Sequence, residues 1–166
     1  MKEDAVNLVV EGLKEAGVET IVTLPESKFK ELYPVLYNDP DFRYIMVTNE
    51  GEGVSIAAGA WAAGKKAVMI MENAGFRVAI EPLARFGQTH GIPVMMIMCY
   101  TGDIGERNWW GITHGQTMEP LLKALNIPYI VVRKKDEVKD ALKRAMNHIS
   151  VSLYHVAVIL TGEVVA

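Results

Sequence analysis

The chain has 166 residues, half of them apolar and 22% charged, with 17 basic and 20 acidic side chains giving a net charge of −3. A length near 150 residues predicts one domain with enough apolar material for a real core. The charge balance excludes the concentrated basic surface of a nucleic-acid or membrane-surface protein, and one cysteine excludes a disulfide framework or a multi-cysteine zinc site.

Helix and strand patterns alternate along the chain. Asp4 is the expected N-cap of a helix carrying Val6, Val9, Val10, Leu13 and Ala16 at helical spacing, stopped by Gly17. Residues 21–24 are too short an apolar run for a helix and predict a buried strand. Pro25 ends it, and Ser27 is the expected cap of a helix with Phe29, Leu32 and Leu36 on one face. Pro34 inside that helix predicts a kink or an early end. Residues 42–48 predict the second strand, and 50–64, rich in alanine and glycine, a closely packed helix. Residues 67–71 form the third expected strand, 74–88 a helix, and 93–100 a fourth strand that is apolar on both faces.

Residues 101–115 are a long connection dense in glycine, polar groups and Trp109 and Trp110, of the kind that carries function or moves. A short helix is expected over 117–125, with Pro120 tolerated in its first turn. Residues 129–132 predict the fifth strand. Asp136 is the expected cap of an amphipathic helix whose stripe is Val138, Ala141, Leu142, Ala145, Met146 and Ile149, and 156–160 form the last strand. Six strands joined mostly by helices imply an α/β fold, a three-layer α/β/α arrangement with a six-stranded, mainly parallel sheet. Ligands in such folds bind beyond the carboxyl ends of the strands. That directs attention to residues 25–27, 48–53, 72–76 and 100–116.

No uncharged apolar run approaches the roughly 18 residues of a membrane span. The first residues, MKEDAVNLVVEGL, turn acidic at once and carry no apolar signal core, so the expected setting is cytoplasmic.

The stretch TNEGEGVSIAAGAWAAGKK puts a carboxylate just after a strand and at a helix start, followed by small residues that let the backbone approach a neighbour. Glu50 and Glu52 both meet that description, and an acidic first turn favoured by the helix dipole is the plain alternative. Neither G-x-G-x-x-G nor G-x-x-x-x-G-K-[ST] occurs, and Gly102-Asp103-Ile104-Gly105 reads as a polar turn. His90, His114, His148 and His155 lack metal-ligand spacing. His148 reads as a surface group at a helix end and His155 as structural, while His90 and His114 lie in the binding region. Cys99 reads as a small core residue and the methionines of 95–98 as core. No G-x-S-x-G elbow marks a serine nucleophile. Adjacent Trp109 and Trp110 point to an interface. Arg107, Lys65 and Lys66 read as solvated, although Arg107 lies in the loop where an anionic substrate could sit.

These stretches, with MENAGFRVAIEPLARF, GIPVMMIMCYTGD and H-G-Q…LLKALNIPY, resemble the pyrimidine-binding domain of thiamine-diphosphate-dependent 2-oxoacid decarboxylases. The likeness is greatest to the alpha chains of sulfopyruvate decarboxylases and the N-terminal part of phosphonopyruvate decarboxylases, and densest over 46–132. It implies one pyrimidine-binding domain over 1–166 and a catalytic Glu50, nine residues before Gly59, a spacing Glu52 does not match. Members of the family commonly carry an aromatic directly after that glycine; here Ala60 stands there, followed by Trp61. The resemblance places Glu72-Asn73-Ala74-Gly75 beside the cofactor pyrimidine and Pro25-Glu26-Ser27 and His114 towards the substrate. It implies thiamine diphosphate as cofactor, with diphosphate and Mg²⁺ held through a G-D-G…N motif that this sequence lacks. A separate beta subunit is therefore implied, along with self-association of the chain.

The implied reaction is decarboxylation of a small anionic 2-oxoacid: 3-sulfopyruvate first, phosphonopyruvate or a plain 2-oxoacid second. A non-catalytic binding or assembly module of the same fold is the remaining alternative. Glu50 would bond to the pyrimidine N1′ and help remove the thiazolium C2 proton, with burial among glycine and alanine raising its pKa. Ser27, Asn73, Arg107 and His114 are the expected donors to the substrate's second anionic group.

Overall fold

A computed structural model describes residues 1–166. Six strands, β1 (Thr20–Thr23), β2 (Arg43–Met46), β3 (Ala67–Glu72), β4 (Met95–Cys99), β5 (Tyr129–Val132) and β6 (Val156–Leu160), form one sheet in the order β2-β1-β3-β4-β6-β5. Every neighbouring pair is parallel. Parallel neighbours require crossovers, and the helices supply them: α1 (Glu3–Glu15), α2 (Leu32–Asn38), α3 (Glu50–Ala62), α4 (Ile80–Leu83), α5 (Ile112–Ala124) and α6 (Val138–Ser152).

Two cores flank the sheet, which gives the three layers. One joins α1, α2 and α6 to Ile21, Ile70 and Ile97. The other joins α3, α4 and α5 to Met69, Met71, Met96 and Met98. The two-residue period of β4 sends Met95, Ile97 and Cys99 to the first core and Met96 and Met98 to the second. Because both faces are covered, β4 and β6 are buried at every position, which is why they read as unbroken apolar runs. The β2 edge strand is half exposed and mixed in composition. No helix is long and apolar enough to cross a membrane.

Strand order reverses between β1 and β3, because the chain leaves β1 for β2 on one side and returns to β3 on the other. A crevice at the carboxyl ends of strands forms at such a switch point. The segments after β1, β2 and β3 meet there.

Several local expectations are corrected. Lys2, not Asp4, occupies the N-cap of α1; the Asp4 carboxylate instead accepts from the Ala5 amide and pairs with Lys135 at 2.6 Å, tying α1 to the start of α6. After β1 a single 3₁₀ turn, Ser27–Phe29, is capped by Glu26, whose Oε2 accepts from the Lys28 amide at 2.8 Å. Ser27 is therefore the first residue of that turn rather than its cap. Helix α2 starts only at Leu32, so Pro34 falls in a first turn whose N–H groups have no helical partner, and no kink is needed. Asp136 lies inside a 3₁₀ turn, Lys135–Glu137, that leads into α6.

The helix expected over 74–88 is a composite: a 3₁₀ turn (Gly75–Arg77), α4, and a π turn (Ala84–Thr89). His155 accounts for the change of pitch. Its buried ring accepts from the Val94 amide at Nδ1 (2.9 Å), so Nε2–H donates to the Leu83 carbonyl at 2.7 Å. A side chain entering the helix ladder is a recognised cause of such a distortion. A Cβ at Gly87 would collide with that ring. Helix α5 begins at Ile112, five residues before expectation, and so Pro120 lies mid-helix rather than in the first turn.

Candidate functional site

The two acids that the strand-end pattern alone leaves undivided are separated by helix capping. Asn49 caps α3, its Oδ1 accepting from the Gly51 amide at 2.9 Å and the Glu52 amide at 3.4 Å. Glu52 turns back to Thr48, accepting from both its amide and its hydroxyl at 3.3 Å, an arrangement close to a capping box. Glu50, half-buried, makes no side-chain hydrogen bond within the chain. Its carboxylate lies on Gly75, the third-strand loop: a Cβ at Gly75 would overlap the carboxyl carbon and Oε1. Glu50 and the 72–76 loop are thus in contact at the switch point. A Cβ at Gly59 would meet nothing within 4 Å.

The neighbouring loops are tied together from below. Asn73 is buried; its amide donates to the Thr101 carbonyl at 2.8 Å and accepts from the Thr101 amide at 3.3 Å, fastening the β3 loop to the β4 loop. Ala74 is half-buried and Gly75 buried. Glu26, in the β1 loop, donates its amide proton to the Tyr33 hydroxyl at 2.9 Å. Its Oε1 is buried without a partner, and Thr23 Oγ1 on the same strand end is the one other such atom. Burial raises the Glu26 carboxyl above the usual carboxylate range, with the nearby Glu72 charge adding to the effect. Burial also pushes the Cys99 thiol up to about 12, so Cys99 is an inert core thiol. Ser27 is exposed at the rim.

His114 sits in the first turn of α5. Its Nδ1 accepts from Arg77 Nη2 at 2.9 Å, and Arg77 Nε donates to the Ala74 carbonyl at 3.4 Å. The Trp110 ring lies 5.7 Å from the His114 ring, centroid to centroid. Arg107 is not in this group. It lines a separate open cavity with Lys28, Tyr100, Asp103, Glu106 and Arg133. There Arg133 pairs with Asp103 at 2.5 Å and holds its carboxyl below the usual range, while Lys28 faces Glu106 at 3.7 Å. The Gly102-Asp103-Ile104-Gly105 turn is held by that pairing. No group of three or more His, Cys, Asp or Glu side chains is placed to hold a metal ion. His90 and His148 are exposed, as are the apolar side chains of Ile104, Trp109 and Trp110.

One residue and one atomic feature of this site escape sequence reasoning. Arg77 follows the 72–75 loop by one 3₁₀ turn, and that spacing was its only signal. The unpartnered oxygen of Glu26 depends on burial among chain-distant groups and has no sequence signal.

Residues 3–108 match the family described as thiamine pyrophosphate enzyme, N-terminal TPP binding domain. The chain belongs to this family. As a member of the thiamine pyrophosphate enzymes, it is 29% identical over 158 residues to sulfopyruvate decarboxylase subunit alpha of Methanococcus maripaludis, covering 95% of this chain and 94% of that one. It is 30% identical over 142 residues to the subunit of the same name from Methanothermobacter thermautotrophicus, covering 86% of each. Against phosphonopyruvate decarboxylase of Streptomyces viridochromogenes it is 35% identical over 100 residues, 60% of this chain and 25% of that protein.

Proposed function

We propose that residues 1–166 form a single pyrimidine-binding domain, the alpha half of a thiamine-diphosphate-dependent decarboxylase that converts 3-sulfopyruvate to sulfoacetaldehyde and CO₂. The observation that carries this reading is the Glu50 carboxylate, resting on the Gly75 cradle with no partner in its own chain. An acceptor left open against a glycine floor fits the pyrimidine end of the cofactor. The near-complete mutual coverage with an archaeal sulfopyruvate decarboxylase alpha subunit supports the substrate. The sequence lacks the G-D-G…N motif expected to hold Mg²⁺ and the diphosphate, and so these are assigned to a separate beta subunit. Self-association is proposed as well, with the exposed Trp109 and Trp110 available for subunit contact.

When bound, thiamine diphosphate supplies the electron sink for the carbon–carbon bond that breaks. The remaining roles fall to side chains and backbone of this chain. Glu50 would bond N1′ of the pyrimidine and hold the proton there. Ala74 and Gly75 form the floor under it, and Asn73 keeps that floor in register with the β4 loop through Thr101. Glu26, whose carboxyl pKa is raised by burial, lies in the loop after β1 with one oxygen enclosed and unpartnered. Ser27 and His114 stand at the rim as donors to substrate oxygens, and Arg107 lies in the separate cavity lined by Lys28, Asp103, Glu106 and Arg133.

The 35% identity to a phosphonopyruvate decarboxylase favours that acid as the second substrate candidate. The test is co-expression with the candidate beta subunit and assay on 3-sulfopyruvate, phosphonopyruvate and pyruvate. Glu50→Gln keeps the shape and removes the titrating group, so kcat is expected to fall about 10²- to 10⁴-fold. Decarboxylation near the wild-type rate in that variant removes Glu50 from the mechanism, and a preference for pyruvate removes the sulfonate substrate.

A further inference from the structure

Six arginines occur in the chain, and Arg85, Arg133 and Arg144 each pair with a carboxylate. Arg77, Arg43 and Arg107 have no carboxylate within 4.0 Å. Among these, Arg43 lies on the edge strand β2 and Arg107 in the separate cavity. Arg77 alone lies on the turn whose first residue, Gly75, touches Glu50. Its position is fixed by neutral acceptors, the Ala74 carbonyl at 3.4 Å and His114 Nδ1 at 2.9 Å. Those two bonds take two of five N–H donors and leave its charge uncompensated. Arginine is always protonated, and so the acceptor role of Nδ1 puts the ring proton of His114 on Nε2. Nε2–H makes no bond within the chain. Trp110 packs against the same ring. The site therefore presents an unpaired, oriented guanidinium fork with a ring N–H donor beside it, on the turn against which Glu50 rests.

We propose that Arg77, steadied by His114, is the specificity-determining residue that binds the second oxyanion group of the substrate. This rests on the decarboxylase reading for the identity of the substrate, but the anion site is separately measurable. A fork with several free N–H donors matches a three-oxygen sulfonate or phosphonate, and a compact ammonium would match it less well. The same chemistry would suit the cofactor's diphosphate, and the experiment separates the two.

The alpha–beta complex is compared as wild type, Arg77→Met and Arg77→Lys. Binding of sulfoacetate, an unreactive carboxylate–sulfonate, is measured by calorimetry, and kcat/KM is measured on 3-sulfopyruvate and pyruvate. Arg77→Met is expected to weaken sulfoacetate about 10- to 100-fold, the range of a hydrogen-bonded charge. The loss of kcat/KM on 3-sulfopyruvate should be of the same size, with pyruvate changing less than about threefold. Arg77→Lys should recover part of the loss. The half-saturating concentration of thiamine diphosphate should not move. Equal losses on both acids, a weakened cofactor with unaltered sulfoacetate binding, or no sulfoacetate binding by the wild type would each overturn the assignment. If the wild type turns over no 2-oxoacid yet binds sulfoacetate through Arg77, the decarboxylase reading fails and the anion site stands.

Discussion

Glu50 and Glu52 are the same residue type two positions apart at one helix start, and residues so spaced do not share a helix face. One face carries Glu52 back to Thr48; the other lays Glu50 over Gly75. Gly75 therefore sets the position of the proposed catalytic acid, and its substitution tests position without removing the acid. In Gly75→Ala the new methyl would occupy the space of the Glu50 carboxyl, which is the far end of a flexible side chain and can swing aside. The fold should survive, with a Tm close to wild type. Decarboxylation by the alpha–beta complex should fall about 100-fold, the typical result of misplacing a reacting group by about 1 Å. Wild-type turnover in that variant would show that Glu50 need not sit on the loop. The same reasoning explains why the sequence pattern draws attention to Glu50 and Glu52, which only the family resemblance tells apart, and not to Arg77 or the bare oxygen of Glu26. A carboxylate at a strand end is a pattern of neighbours in the chain, whereas the other two features arise only when Ala74 meets Arg77 and His114, and when the β1 loop is buried.

The elements that are legible in sequence are those whose environment repeats along the chain. Strands β4 and β6 are buried on both faces and read as continuous apolar runs; α6 buries one stripe, Val138 to Ile149, and shows it at helical spacing. The elements that are not legible are set by single long-range contacts. The π turn after α4 answers to His155, distant in sequence. The early start of α5 answers to glycine packing: Gly115, a poor helix former, abuts Gly102 so closely that a Cβ on either would strike the other's backbone. That contact carries the helix back to Ile112, brings His114 to Arg77, and leaves Pro120 in the helix interior. Gly115→Ala should force the two backbones apart at an overpacking cost of about 1–3 kcal/mol. A fall in Tm of several degrees is expected for a domain of this size. Activity should drop further than the stability loss explains, because His114 is the adjacent residue. An unchanged Tm would mean that the α5 start does not depend on that contact.

At the scale of the whole molecule, His155 ties together segments that lie far apart in the chain. It joins the start of β6 to the Val94 amide before β4 and to the Leu83 carbonyl at the end of α4. Burial lowers its pKa below the ordinary 6.5, with the bond from Nε2–H to the Leu83 carbonyl opposing the shift. The unfolded chain thus takes up a proton near pH 6.5 that the folded chain takes up only at lower pH. Unfolding is then proton-binding, and stability falls as pH drops from 6.5 through the folded pKa. Glu26 acts in the opposite sense. Its raised folded pKa gives a contribution fully present below the unfolded value of 4.5 and lost as pH rises through the folded value. The two are separated by comparing wild type with His155→Gln in urea melts at pH 7.5 and 5.5. At pH 7.5 the variant should be less stable by about 1–3 kcal/mol, because a buried backbone group loses its partner. Between pH 7.5 and 5.5 its stability should fall less steeply than that of the wild type, since the depressed imidazole is gone while Glu26 remains. Parallel pH profiles for the two proteins would show that His155 titrates alike in the folded and unfolded chains, and that its burial carries no acid sensitivity.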